Sequence, residues 1–141
     1  MKTKSLFVLT LSLLALPCLH AADKVPDAPA SSSAPAKPKR VEVEEFDKLR
    51  QNKANVVLDV RTEKEFKAGH IPGAINMDVR SPDFAAKTAK LDKSKTYLVH
   101  CAAGGRSATA CGKLAQEGFT NLFDLSPGFK GWEKAGKEVE K

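Results

Sequence analysis

The stretch Cys101-Ala102-Ala103-Gly104-Gly105-Arg106-Ser107 carries the residue types and spacing that point most directly to chemistry. A cysteine opens it, an arginine and a hydroxyl close it, and the two glycines between allow backbone torsions that other residues resist. Tyr97-Leu98-Val99-His100 before it reads as a strand, and residues 106–117 after it read as a helix. Such a loop can curl its amide N–H groups inward. Amides converging at a helix amino terminus lack intrahelical partners, and the helix dipole adds partial positive charge, so together they cradle an anion. Here the anion is the Cys101 thiolate. Cysteines so placed have pKa values lowered from about 8.5 to about 3.5–7.5. Cys101 is therefore expected to be nucleophilic at neutral pH. The plainer alternative is an inert cysteine at a strand end; the glycines, Arg106 and the helix start weigh against it.

The elements that must position this loop are legible as alternating patterns. Val56-Val57-Leu58-Asp59-Val60 is a short, nearly continuous apolar run rich in β-branched residues, as expected of a strand covered on both faces. Residues 97–100 and 121–125 read the same way, and 74–77 more weakly. Helices are predicted over 44–50, from Thr62 with Glu65 as a capping box, over 84–91, and over 106–117. Strands alternating with helices imply an α/β fold: a small, mostly parallel sheet with helices on both faces. Functional groups then gather at strand carboxyl ends, where Cys101 stands.

Other polar residues near strand ends are better explained by structure. Asp59 and Arg61 flank a strand end, where a carboxylate usually braces loops. His70 and His100 are expected to be hydrogen-bonded structural histidines, because a preformed thiolate needs no general base. Cys111 falls on the apolar face of the predicted helix with Ala110 and Leu114, and Phe119, Phe129 and Trp132 read as core or interface aromatics. If the segment between Cys101 and Cys111 is helical, the two lie roughly 15 Å apart. That is too far for a disulfide, and two free thiols follow. No set of side chains has metal-ligand spacing, so no metal and no cofactor are expected.

The chain has 141 residues, 42% hydrophobic and 28% charged, which suits one globular domain with some non-globular sequence. Residues 1–22 read as a signal peptide: Lys2 and Lys4, an apolar run from Leu6 to Leu16, then Ala21 and Ala22. The run is shorter than the roughly 20 residues of a membrane span. The residues before Cys18 also lack the small side chains of a lipidation site. Residues 23–40, rich in Pro, Ala, Ser and Lys, read as a flexible linker, and 41–141 as the folded domain. The expected location is periplasmic or secreted. Of the net charge of +6, only +2 belongs to residues 41–141, where 17 cations face 15 interspersed anions. No basic stripe emerges, which argues against a nucleic-acid partner. The product is expected to be monomeric and not stably inserted in a membrane.

Three further segments complete the pattern. Val57-Leu58-Asp59-Val60-Arg61, Glu65-Phe66 and Gly69-His70-Ile71-Pro72-Gly73-Ala74-Ile75-Asn76 resemble the first signature of the rhodanese sulfurtransferases. The loop from Cys101 to Ser107 resembles their active-site loop. Gly128-Phe129-Lys130-Gly131-Trp132 resembles their carboxyl-terminal signature. The likeness spans residues 41–141 in the family's order, and joint agreement is more specific than any single motif.

The resemblance implies a rhodanese-like three-layer fold and a cysteine alternating between thiolate and persulfide. Sulfane sulfur would move from a small-molecule donor such as thiosulfate to cyanide or a thiol, including a protein thiol. Backbone N–H groups from Ala102 to Ser107 are the expected binding groups for the charged terminal sulfur. Arg106 would either attract the anionic donor or pair with a carboxylate that braces the loop. Ser107 reads as a loop hydroxyl rather than a second nucleophile. Related phosphatases and arsenate reductases carry one more residue between cysteine and arginine, so the four here favour sulfur over phosphate. Some thiosulfate-using relatives place cations directly after the cysteine, whereas Ala102 and Ala103 are neutral. That departure motivates the alternative: a persulfide carrier or reactive-sulfur sensor without appreciable turnover.

Overall fold

The computed structural model describes residues 37–141; the predicted signal peptide and residues 23–36 of the predicted linker lie outside the described residues. Ten elements follow in order: β1 Lys39–Val41, α1 Val43–Arg50, β2 Val56–Asp59, α2 Glu63–Ala68, β3 Ile75–Asn76, α3 Phe84–Thr88, β4 Tyr97–His100, α4 Gly105–Gln116, β5 Leu122–Leu125 and α5 Gly128–Lys134. The strands form one sheet in the order β1-β5-β4-β2-β3, with every pair parallel.

Two apolar cores explain why the central strands read as continuous rather than alternating. Side chains along a strand point to opposite faces in turn. Leu58, Tyr97, Val99 and Leu122 pack with Phe84, Ala110 and Leu114 of α3 and α4. Val57, Leu98 and Leu125 pack instead with Phe46, Phe129 and Trp132 of α1 and α5. At the end of β4 the same alternation sends His100 toward Phe46 and Phe129, and Cys101 toward the α4 side. The neighbours His100 and Cys101 thus occupy different chemical surroundings.

Three elements depart from the sequence reading. Lys39 and Arg40, placed in the linker, instead pair with Phe123 and Asp124 as an edge strand. Their charge hid them: an edge strand tolerates exposed cations, so no apolar alternation marks it. The helix α5 was not anticipated either, because Pro127, Gly128 and Gly131 depress local helix propensity. Burial of Phe129 and Trp132 supplies what propensity does not. The α3 helix also ends three residues early, as Lys90 and Leu91 bond to carbonyls three positions back.

Candidate functional site

The chain leaves β4 at His100 and turns sharply. Gly104, with φ of 87°, ends the turn as the residue before α4. Its N–H donates to Cys101 Sγ at 3.1 Å. Burial by itself would raise the Cys101 pKa. The Ser107 hydroxyl and the amides of Ser107, Ala103 and Gly104 outweigh it, and the net shift is downward. Three of the loop's N–H groups thus act on the sulfur as a partial ring, and that of Gly104 makes the hydrogen bond. Ser107 Oγ also lies 3.1 Å from Gly104 O. Its single hydrogen serves that carbonyl or the thiolate, but not both at once.

Cys101 is 1% exposed, at the bottom of this ring. Ala103 and Gly105 above it are exposed, whereas Gly104 is buried. Its sulfur is thus withdrawn from solvent.

The loop is held from both sides. From α5, Phe129 N–H donates to Cys101 O at 2.7 Å and Lys130 N–H to Ala102 O at 3.0 Å. Gly128, φ 63°, allows that approach: a Cβ there would sit 2.6 Å from Ala102 C and Ala103 N. From α2, Glu65 accepts two bonds from Arg106, at 2.8 and 2.7 Å. Of the two roles left open for Arg106, the structure displays the bracing one. Glu65 completes the predicted capping box with Thr62 as well. Arg106, set against partial burial and aided by Thr62, holds the Glu65 carboxyl well below the usual carboxylate range. Glu65→Gln keeps a capping acceptor but loses the charge that anchors Arg106. Because the pair is part-exposed, we expect urea unfolding to show a loss of only about 1 kcal/mol. Hydrogen exchange at the Gly104 amide should accelerate; an unchanged rate would deny Glu65 its bracing role.

Asp59 and Arg61 stand beside the loop, whereas His70 contacts α2 and the carboxyl-terminal segment. Arg61 donates to both Asp59 oxygens and, at 2.7 Å, to Gly69 O, while its guanidinium lies 4.1 Å from the Phe129 ring centre. His70 stacks on Phe66 at 3.7 Å, and its Nδ1 lies 3.0 Å from Phe66 O. Its backbone bridges Glu140 and pins the carboxyl-terminal segment.

His100 corrects the expectation of a hydrogen-bonded histidine. It is fully buried, and neither ring nitrogen has a hydrogen-bond partner; the Asp59 carboxylate is 3.7 Å away. Burial, partly opposed by Asp59 and reinforced by Arg61, lowers its pKa to about 4. Unfolded, it would titrate near 6.5. Between those values the unfolded chain binds more protons, so stability is intact above about pH 6.5 and declines as pH falls toward about 4. Urea unfolding from pH 7 to pH 4 should show that decline, and His100→Phe, whose ring suits Phe46 and Phe129, should remove it.

The premise that Cys101 and Cys111 stand a straight helix apart also changes. The helix begins only at Gly105, and the turn before it folds both cysteines into one apolar cluster. Both remain free thiols. Burial, then Asp124 and Cys101, push the Cys111 thiol far up, so it stays protonated. Asp124, 1% exposed, was missed as a neighbour of the site: one oxygen is unpartnered and the other lies 3.6 Å from Arg40. Nothing local marks Asp124 as a site neighbour, and Glu65 was legible only as a helix cap, because its pairing with Arg106 is made across the fold. Among the described residues no cluster of three metal-ligating side chains occurs.

A parallel sheet that delivers a buried cysteine of lowered pKa, with a loop amide bonded to its sulfur, to a helix amino terminus defines a cysteine-bearing α/β protein. A family model described as Rhodanese-like domain matches residues 42–135, and the chain belongs to that family. It is 35% identical over 94 residues to thiosulfate sulfurtransferase GlpE of Pseudomonas putida, covering 67% of this chain and 84% of that one. It is 36% identical over 89 residues to Protein HIGH ARSENIC CONTENT 1, mitochondrial, of Arabidopsis thaliana. That match covers 56% of this chain and only 53% of the relative, so the chain spans about half of that protein's length. A crystal structure of a rhodanese-related protein from Thermoplasma volcanium superposes with a TM-score of 0.65 at 31% identity, over 72% of this chain and 97% of that one.

Proposed function

We propose that this protein is an exported sulfurtransferase that moves sulfane sulfur through a Cys101 persulfide. The supporting observation is the Gly104 N–H at 3.1 Å from Cys101 Sγ, within a ring of amides that favours the thiolate. With thiosulfate, the thiolate attacks the outer sulfur. The Sγ–S bond forms, the S–S bond of the donor breaks, and its electron pair leaves with sulfite. Cyanide then attacks the terminal sulfur, and the Sγ–S bond pair returns to Cys101 as thiolate. Relatives named thiosulfate sulfurtransferase support this reading. Export rests on residues 1–22 alone. Incubating the reduced protein, freed of residues 1–22, with thiosulfate should add the mass of one sulfur atom at Cys101, and cyanide should remove it as thiocyanate. Absence of any sulfur adduct with every donor tried would sink the proposal.

One observation favours a second reading. A sulfur 1% exposed, in a loop whose Arg106 is occupied by Glu65, suits holding a persulfide away from reductants better than rapid exchange. A stable adduct that cyanide leaves in place while a protein thiol removes it would favour a carrier.

A further inference from the structure

We propose that Asp124 is a positioning residue for Cys101: through the Ser107 hydroxyl it takes up the proton that Cys101 gives off, so that the buried pair holds one negative charge whether sulfur or carboxyl carries it. The inference rests on Cys101 being the reacting sulfur and supplies the route by which its thiolate forms.

Topology brings the three groups together. Asp124 stands in parallel register with Val99, two residues before Cys101, so strand alternation sends these side chains to the sheet face that α4 covers. From α4, Ser107 and Cys111, one turn apart, are buried against that face. Cys101 and Asp124 are each 1% exposed, and Ser107 is fully buried. The Ser107 hydroxyl is a hydrogen-bonding partner of both, and it holds down the pKa of the Cys101 thiol and of the Asp124 carboxyl alike. The competing acceptor, Gly104 O at 3.1 Å, is a neutral carbonyl and weaker than a thiolate or carboxylate.

Asp124 is under-satisfied as a fixed anion. Its Oδ1 has no hydrogen-bond partner, and a bare buried acceptor is costly. Burial pushes the carboxyl pKa up, against Ser107 and Arg40. Of the charged and titratable groups around it, Arg40 from β1 stays 3.6 Å from Oδ2, beyond hydrogen-bond reach. Arg106 from α4 is bonded to Glu65, Cys111 from α4 stays protonated, and His100 of β4 turns to the opposite face. A sulfur so enclosed has little water to receive its proton, and two adjacent buried anions would repel.

Transfer along the chain avoids both costs. The Cys101 S–H bond breaks with its electron pair left on sulfur, its proton passes to Ser107 Oγ, and the Ser107 hydroxyl proton passes to Asp124. Thiol and carboxylate become thiolate and carboxylic acid. The new Asp124 O–H donates to Ser107 Oγ, and the Ser107 O–H donates to the sulfur. Charge and proton count within the site are unchanged.

Iodoacetamide, which is uncharged, reads the thiolate by intact mass without any sulfur donor. For a pair sharing one proton, the Cys101 alkylation rate should rise with pH to a plateau about one unit wide or more, then rise again as the second proton leaves. Asp124→Asn still donates to Ser107 Oγ but takes up no proton, so we expect a single rise, to about threefold or more above the wild-type plateau. Infrared difference spectra of the wild-type protein across alkylation at plateau pH supply a readout that does not depend on the variant folding. The C=O band of a protonated carboxyl should disappear, because Asp124 becomes the anion once sulfur no longer is. Single rises with the same midpoint in both proteins, or a carboxyl band unmoved by alkylation, would overturn the inference while leaving persulfide chemistry intact. A plateau and a lost band in a protein that accepts sulfur from no donor would support the relay and defeat the sulfurtransferase reading instead.

Discussion

Cys101→Ser removes sulfur transfer: thiocyanate formation should fall at least a thousandfold, and no sulfur adduct should survive on the protein. Burial raises the Cys101 pKa, but the Ser107 hydroxyl with the Ser107, Ala103 and Gly104 amides more than offsets it, so the thiol lies below its ordinary value. A serine hydroxyl starts so much higher that the same donors leave it protonated at neutral pH. Nor can oxygen form the S–S link on which the chemistry depends. Folding should be little affected. The serine oxygen still accepts from Gly104, and only one small side-chain atom changes, so urea unfolding should shift by no more than about 1 kcal/mol. Cys111 offers no substitute, since its thiol is buried and held protonated. Residual activity above a tenth of wild type in Cys101→Ser would show that another group carries the reaction.

Gly104→Ala attacks the ring and not the nucleophile. At φ of 87° an L-residue is strained by roughly 1–2 kcal/mol, and the new Cβ would lie 2.2 Å from Ser126 O. No flexible side chain can relieve that contact, because the obstacle is backbone. The loop must shift, moving the Gly104 N–H away from Cys101 Sγ. Loss of one such preorganised donor typically costs about 100- to 1,000-fold in rate. Strain and displacement together should destabilise the fold by about 3 kcal/mol. The neighbouring Gly105→Ala is the control: its Cβ meets nothing within 4 Å. As the first residue of α4 it should leave stability within about 0.5 kcal/mol, or raise it slightly. Equal behaviour of the two variants in urea unfolding and in the rate of adduct formation would refute the assigned role of Gly104.

Sequence patterning was informative wherever a physical signal is local. The strand Tyr97–His100 appears with its predicted limits because both faces of a central strand demand apolar residues over a short run. Thr62 and Glu65 announced a helix start because a capping box involves residues three apart. Arg40 in β1 and Gly128 in α5 were misjudged for the converse reason. Each owes its conformation to a distant partner: Asp124 for Arg40, the Ala102 backbone for Gly128.

The same division runs through the site. That a cysteine stands between a strand and a helix, followed by a loop able to turn its amides inward, was set by Cys101, Gly104, Gly105 and the periodicities on either side. The chain's order alone determines those features. Which carboxylate would claim Arg106, that His100 would be buried without a hydrogen-bond partner, and how deeply Cys101 would sink were decided only on folding. Glu65 and Arg106 stand 41 positions apart, and their meeting follows from the parallel stacking of β2 beside β4. Burial and pairing are properties of groups brought together by the sheet, and no residue carries them before its neighbours arrive.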